Sequence, residues 1–354
     1  MTIVLDVGMS EIKAGIAGED LPSTRIPNLF YHDKTAMEVE NNYHLSEFLE
    51  ESKCEKEYCR CCKDKEFNYD LLSILLTEMK QKYNNDSLLW VKTHDQRIST
   101  TQFYEILFEQ IGMKQFYSVP SPVLVSLGNS VTEGIVLECG SQAVHSSIVY
   151  KGYLLENPLV HKNYGGEYII DQERKKLINE KSELLPVLSS NASDSYREFV
   201  YDNFIEEVKK SKGLEMYEDK DPRKLKAIEI SNELDNATNS LYFPENQTEE
   251  TLGLDLMILK SLFKCDYDVL NECSHKLMLA GGNSLIPALG QKIITKINSL
   301  LPQLQIECVT PNNALYQKYA AWRGGSIVAS ADMMKDVWVS KEQYEEKGPA
   351  VFDI

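Results

Sequence analysis

Two short apolar runs set the pattern of the chain. Ile3-Val4-Leu5-Asp6-Val7-Gly8 returns as Ile135-Val136-Leu137-Glu138-Cys139-Gly140, each a β-rich stretch that meets a carboxylate, one spacer and a glycine. Each is followed by a second run of β character, Glu11 to Ile16 and Val144 to Val149. A strand, a glycine turn and a returning strand predict a β-hairpin. Two such hairpins, one opening each half of the chain, predict two related domains that face each other. Between them, helical spacing puts Leu71, Leu72, Leu75, Leu76 and Met79 on one side of a helix over Phe67 to Tyr83. A second amphipathic helix is expected over Thr100 to Gly112, ending at its glycine. Leu88 to Val91 reads as a buried strand, Ile26-Pro27-Asn28 as a turn, and Val123 to Leu127 as the approach to the second hairpin.

Beyond that hairpin, Tyr164-Gly165-Gly166-Glu167 opens a helix through Leu177. Ser193 to about Asn239 is highly charged and helical in pattern, broken at Pro222, and carries no visible chemistry. An apolar helix resumes from Leu252 to Phe263, and Lys264-Cys265-Asp266 leads to the next. Leu277 to Ala280 is a strand that runs into Gly281-Gly282-Asn283-Ser284, with Pro287 helping to set the following helix. From about residue 28 to Lys65 the chain is polar and poorly periodic, which predicts a small peripheral lobe or a mobile loop.

Composition narrows the classes. A chain of 354 residues with 43% hydrophobic content favours two globular domains with ample core. A net charge of −17 argues against a main nucleic-acid-binding surface and fits a protein that docks onto other, basic proteins. No apolar stretch approaches the length of a membrane span, and no leader is expected ahead of the first strand. An intracellular chain keeps its eight cysteines reduced. Cys54, Cys59, Cys61 and Cys62 are too irregularly spaced for one tetrahedral centre, so a solvated cysteine-rich insertion is expected there rather than a metal site.

The glycine turns carry the candidate chemistry. Glycine lets backbone N–H groups approach an anion closely, so the two hairpin turns can grip a phosphate from two sides. Asp6 and Glu138 would then stand beside the phosphates, where carboxylates hold a hydrated Mg2+. The strand–glycine–helix junction at Gly281 offers a third set of N–H groups to a phosphate or base. No Ser-His-Asp arrangement, Walker lysine loop or HExxH zinc site offers a rival enzyme reading.

The order of these three glycine sites resembles the nucleotide clamp shared by actin, the sugar kinases and the heat-shock chaperone ATPases. Tyr319-Ala320-Ala321-Trp322-Arg323-Gly324-Gly325 and Trp338-Val339-Ser340-Lys341 are similar to the near-terminal segments of actin, and Lys264-Cys265-Asp266 ahead of Gly281 also fits. The resemblance implies an α/β fold of two related domains around a nucleotide cleft, each with a smaller lobe. Its divisions fall at 1–128, with a reduced lobe at about 28–66, and at 129–319, with a divergent lobe at about 165–250. Residues 320–354 would return to the first domain. ATP or ADP with Mg2+ would lie between the hairpins. Asp6, Gly8, Ser10 and Lys13 match the first phosphate loop, Glu138, Gly140 and Ser141 the second, and Gly281, Gly282 and Asn283 the third, with Lys318 flanking the base. Asp6 and Glu138 are the candidate metal carboxylates.

Departures from the family pattern bear on activity. Glu138 and Ser141 stand where actin has aspartates, and Ser121 stands where a glutamine orients the attacking water. His145 is retained, while Phe204 and Ile205 replace a charged pair of the base pocket. Nucleotide binding without rapid hydrolysis is therefore expected, with no catalytic residue assigned. The cysteine-rich lobe does not resemble the loop by which actin grips its neighbour, so filaments are not expected. Ile26-Pro27-Asn28 followed by Lys34-Thr35-Ala36, Asn163-Tyr164-Gly165-Gly166, Gly281-Gly282-Asn283-Ser284-Leu285 and the ending from Tyr344-Glu345-Glu346 through Phe352-Asp353-Ile354 are similar to the actin-related protein 6 class. That resemblance implies a nuclear structural subunit of a remodeller that exchanges a core histone for its variant, with a zinc-finger subunit, the remodelling ATPase and histones as partners. The alternatives are a cytoplasmic, cytoskeletal actin-related protein such as a dynactin pointed-end subunit, and a weak ATPase with a rearranged site.

Overall fold

The computed structural model describes residues 1–32, 43–46, 51–63, 66–94, 99–211, 222–248, 252–331 and 337–348. The matches to residues 34–36 and 352–354 lie outside them.

The first hairpin joins β1 (Ile3–Val7) to β2 (Glu11–Ile16), in a register that sets Asp6 opposite Lys13. β3 (Thr24–Pro27) pairs with β2, so Ile26 and Pro27 end a strand instead of forming the expected turn. Thr24 and Ile26 bury their side chains on one face, and Pro27 is tolerated because β3 is the edge of its sheet. The polar stretch that follows has strands of its own. β4 (Phe30–His32), β5 (Tyr43–Leu45) and β6 (Glu57–Cys59) form a small antiparallel sheet, and β7 (Cys62–Lys63) pairs with β8 (Glu66–Phe67).

The cysteine-rich segment is not solvated. Cys61 and Cys62 are fully buried in the main core of this half, with Phe30, Phe67 and Trp90, while Cys54 and Cys59 are half-buried. Thiols here act as small apolar groups that fill volume. Among the described residues, no group of three or more His, Cys, Asp or Glu is placed to hold a metal ion.

α1 (Tyr69–Tyr83) starts at Asn68, whose side chain accepts from the amides of Asp70 and Leu71. It buries the five apolar residues expected. β9 (Ser87–Lys92) is followed by α2 (Thr100–Tyr104), which passes into a π-helix over Glu105–Gln110 and stops at Gly112 with φ +71°. β10 (Gln115–Pro120) then leads into α3 (Ser121–Gly128).

The second hairpin is β11 (Gly134–Cys139) and β12 (Val144–Tyr150), extended by β13 (Tyr153–Lys162). α4 (Gly166–Glu180), α5 (Asp194–Ser211) and α6 (Pro222–Tyr242) pack around Ile170, Leu177, Ile205, Val208, Ile230 and Leu234 as a separate helical lobe. α7 (Leu254–Leu262), α8 (Tyr267–Cys273), β14 (Lys276–Ala280), α9 (Leu289–Leu300) and β15 (Glu307–Val309) complete this half. The chain ends with α10 (Ala314–Lys318), α11 (Ala320–Ser330), β16 (Val339–Ser340) and α12 (Lys341–Lys347).

Strand order exposes a duplication. The first sheet runs β16-β10-β9-β1-β2-β3 and the second β13-β12-β11-β14-β15. In each, an antiparallel meander (β1–β3 or β11–β13) is flanked by two parallel strands on the side of its first member. Helices α3 and α11 follow the outer parallel strand of their sheets and cross each other at backbone distance. A Cβ on Gly324 would lie 1.9 Å from the Leu124 carbonyl oxygen, and one on Gly128 would lie 2.7 Å from that of Ala320. Only glycine allows that approach. Trp322 of α11 is fully buried and donates to the Val4 carbonyl, anchoring α11 on the first sheet.

Candidate nucleotide site

The first turn closes when the Gly8 amide donates to the Glu11 carbonyl at 3.1 Å. Asn28, 2% exposed, fixes its shape from below. The Asn28 amide donates to the Ser10 carbonyl at 2.9 Å and its side-chain Nδ2 to the Gly8 carbonyl at 3.0 Å. Asn28 Oδ1 accepts from the Cys61 amide at 2.9 Å, which ties the turn to the cysteine-rich lobe.

Two lysines stand over this turn, each beside a carboxylate. Lys13 Nζ lies 3.0 Å from Asp6 Oδ2, and Lys318 Nζ lies 3.1 Å from Glu11 Oε2. Tyr319 donates its hydroxyl to Glu11 at 3.3 Å. Burial pulls the Lys318 ammonium down, but hydrogen bonds and charge from Tyr319 and Glu11 outweigh it and leave its pKa above the ordinary 10.5.

The second turn repeats the first. The Gly140 amide donates to the Ala143 carbonyl at 3.0 Å. Its own carbonyl accepts from the Gly166 amide at 3.2 Å and from Asn283 Nδ2 at 2.8 Å, while the Ser141 carbonyl accepts from the Glu167 amide at 2.8 Å. The first amides of α4 are thus spent on the turn, and the paired glycines explain how the helix comes so close. A Cβ on Gly165 would sit 2.0 Å from the Ser141 oxygen, and one on Gly166 would sit 2.5 Å from Asn283 Nδ2. Gly281, with φ +86°, passes 2.5 Å from the Cys139 oxygen by the same measure. Gly282 begins a 3-10 turn and faces open space. Gln317 steadies this third loop by donating to the Ser284 carbonyl at 2.9 Å.

Glu138 occupies the place in β11 that Asp6 occupies in β1, and it stands opposite His145 as Asp6 stands opposite Lys13. Its Oε1 accepts the hydroxyl proton of Ser121, at the start of α3. His145 lies in a row of imidazoles, with ring centroids 6.4 Å from His94 and 5.8 Å from His161.

Asp6, Gly8, Ser10, Lys13 and Lys318 therefore share one cluster around the first turn, and Gly140, Ser141, Gly281, Gly282 and Asn283 share another around the second and third. Phe204 and Ile205 belong to neither. Ile205 is fully buried in the helical lobe and Phe204 packs on the same core, because that face of α5 meets α6. The α5 residue that does reach the third loop is Lys209, whose Nζ is 3.5 Å from Asn283 Oδ1. Glu11, Asn28, Lys209 and Gln317 are the residues sequence reading missed; the Pro-Asn step after β3 was the one signal available, for Asn28.

The donor set fits a nucleoside diphosphate or triphosphate with Mg2+ in its chemistry. Two glycine turns at matched positions, Lys13 and Lys318, and the open space over Gly282 are the features of a phosphate cradle. Asp6 and Glu138 are the hard oxygen donors that Mg2+ prefers. Both lysines are already neutralised by internal carboxylates, so a phosphate there competes with Asp6 and Glu11 for its cations. The family model described as Actin matches residues 1–212 and 221–353. With that match over nearly the whole length and the duplicated α/β topology around paired glycine turns, the chain belongs to the actin family.

Proposed function

We propose that this actin-family protein holds ATP or ADP with Mg2+ as a structural ligand and serves as a non-polymerising subunit of a multi-protein complex. The observation that carries the reading is the Ser121–Glu138 hydrogen bond. It puts a hydroxyl, already committed to a carboxylate, at the position from which the family resemblance implies a water-orienting glutamine. A serine hydroxyl donating to Glu138 is poor equipment for activating water, so bound nucleotide persists.

The complex is of the histone-variant-depositing remodelling type, in the nucleus, with a zinc-finger subunit, the remodelling ATPase and histones as neighbours. What supports this is the likeness of its short motifs to the actin-related protein 6 class and a net charge of −17 suited to basic partners. Two measurements test the reading. Acid extraction of the purified protein and ion-exchange chromatography should release about one nucleotide per chain, with no phosphate produced over many hours. Affinity purification at native expression should recover remodeller subunits. Recovery of dynein–dynactin components in their place would move the protein to the cytoskeleton, and steady phosphate release would make it a working ATPase.

A further inference from the structure

The helical lobe carries a groove that the nucleotide site does not use. A cavity of about 630 Å3 lies between the second half of α4, the loop from Ser182 to Leu188 and the first half of α5. That volume falls within the about 300–1,000 Å3 of clefts that take a ligand or a few side chains. Helical spacing builds both walls. Arg174 and Ile178 are one turn apart on α4, and Asp194, Glu198 and Tyr201 follow one another at single-turn steps on α5.

The loop presents apolar groups on a firm base. Leu184 and Leu185 are buried in the core of the lobe, yet Val187 is 100% exposed, and Ile178 on α4 is 48% exposed. Arg197 holds the chain beyond Val187. Its Nε donates to the Ala192 carbonyl at 3.2 Å, and its Nη2 to those of Ser189 and Ser190 at 2.9 and 3.3 Å. Pro186 fixes its own φ just ahead of Val187. Among the described residues Val187 makes no hydrogen bond, so its amide and carbonyl can pair with a chain laid beside them. A surface held in one shape loses little freedom when something binds to it.

Charge selects what fits. Both guanidinium groups in the lining are already committed, Arg197 to the three carbonyls and Arg174 to Asp171, Glu198 and Asp202 at 2.6, 2.8 and 3.1 Å. The exposed charges of the lining are carboxylates, Asp194 and Glu198, and the Glu198 side chain is 57% exposed. Asp194 also answers the positive end of α5. An anion would therefore compete for occupied cations, whereas a Lys or Arg would meet two carboxylates beside an apolar surface.

We propose that this groove receives a short segment of a neighbouring protein subunit, one that carries large apolar side chains flanked by Lys or Arg. That the segment belongs to another subunit rests on the reading of this protein as a member of a complex; the apolar and basic chemistry of the segment does not. Val187 and Ile178 supply the apolar contact, and Glu198 and Asp194 set the charge of the occupant.

The test uses the full chain in two arms. In the first, p-benzoylphenylalanine replaces Val187 in a tagged copy at native expression, the purified material is irradiated, and mass spectrometry identifies the joined residues. A segment of another subunit with apolar residues and Lys or Arg together supports the proposal. A join to an acidic segment, to this chain or a second copy of it, or to no protein would overturn it. In the second arm, purified protein is titrated with a fluorescein-labelled peptide of alternating leucine and lysine and with its leucine–glutamate counterpart. The parent should prefer the leucine–lysine peptide. Val187→Ser, at a fully exposed position, should weaken it about tenfold, and Glu198→Gln, which leaves Arg174 two of its carboxylates, about threefold. Equal affinity in the parent and both variants would overturn the groove as the binding site. If the parent recovers no other subunit at native expression, the complex reading falls. The chemistry of the groove then stands or falls on the peptide titration alone.

Discussion

Lys13 faces Asp6 across the first hairpin, its Nζ 3.0 Å from a carboxylate that is only 8% exposed. The pair keeps a buried charge compensated, and under the proposed reading Lys13 is also the cation that a phosphate would use. Lys13→Met removes both functions. It should cost about 1–3 kcal/mol in urea unfolding, because Asp6 is left in a desolvated place without its partner. It should also abolish the rise in melting temperature on adding Mg-ATP. A variant as stable as the parent would mean that Asp6 finds other solvation.

The glycines divide into those that close contacts and those that open space, and stability measurements should separate them. Gly324→Ala and Gly165→Ala press a methyl to within about 2 Å of a carbonyl oxygen and should cost more than about 3 kcal/mol, or give no soluble protein. Gly282→Ala meets nothing within 4 Å and should fold within about 0.5 kcal/mol of the parent while weakening nucleotide retention.

Asp202 should make the helical lobe respond to pH. Burial pushes its carboxyl from the ordinary 3.8 to about 7; Arg174 and Arg60 oppose the shift, and Glu198 and Glu167 reinforce it. The folded protein thus binds a proton that the unfolded chain has lost, over the range between those values. The contribution of this group to stability therefore rises as the pH falls from about 8 to about 4. Asp202→Asn should flatten that slope, read as urea midpoints at about pH 5 and about pH 8. An unaltered slope would assign the response to other groups.

Thiol chemistry offers a check on the first half. Burial, with Cys62 and Cys59 beside it, holds the Cys61 thiol well above its usual pKa, and burial with Glu138 nearby pushes Cys139 to about 12. Alkylation of the native protein should spare Cys61, Cys62, Cys139 and Cys273, which are all buried, and unfolding should expose them. Early modification of Cys61 would show that the lobe opens readily.

Legibility in the sequence followed the range of the interactions. Both hairpins and the apolar face of α1 were readable because their signals repeat every two to four residues. β10 and β15 were not, since β10 buries only Phe116 and Val119 and β15 is a half-exposed edge strand. The cysteine-rich segment reads as polar because charged residues surround each thiol, yet Cys61 and Cys62 point into the core. Ile205 misled for a related reason: the same spacing serves a cleft wall or a lobe core, and Ile230 and Leu234 decide between them. Asn28 with Cys61 and Tyr58 with Ser195 are 33 and 137 residues apart, and no local pattern announces such pairs.

The glycine crossing of α3 and α11 constrains how the halves can move. With no side chain between the two backbones, pulling the helices apart would open a void along the contact, whereas rolling one over the other would not. Separation of α3 from α11 at Gly128 and Gly324 is therefore the costly movement, and a roll of one helix over the other the cheap one.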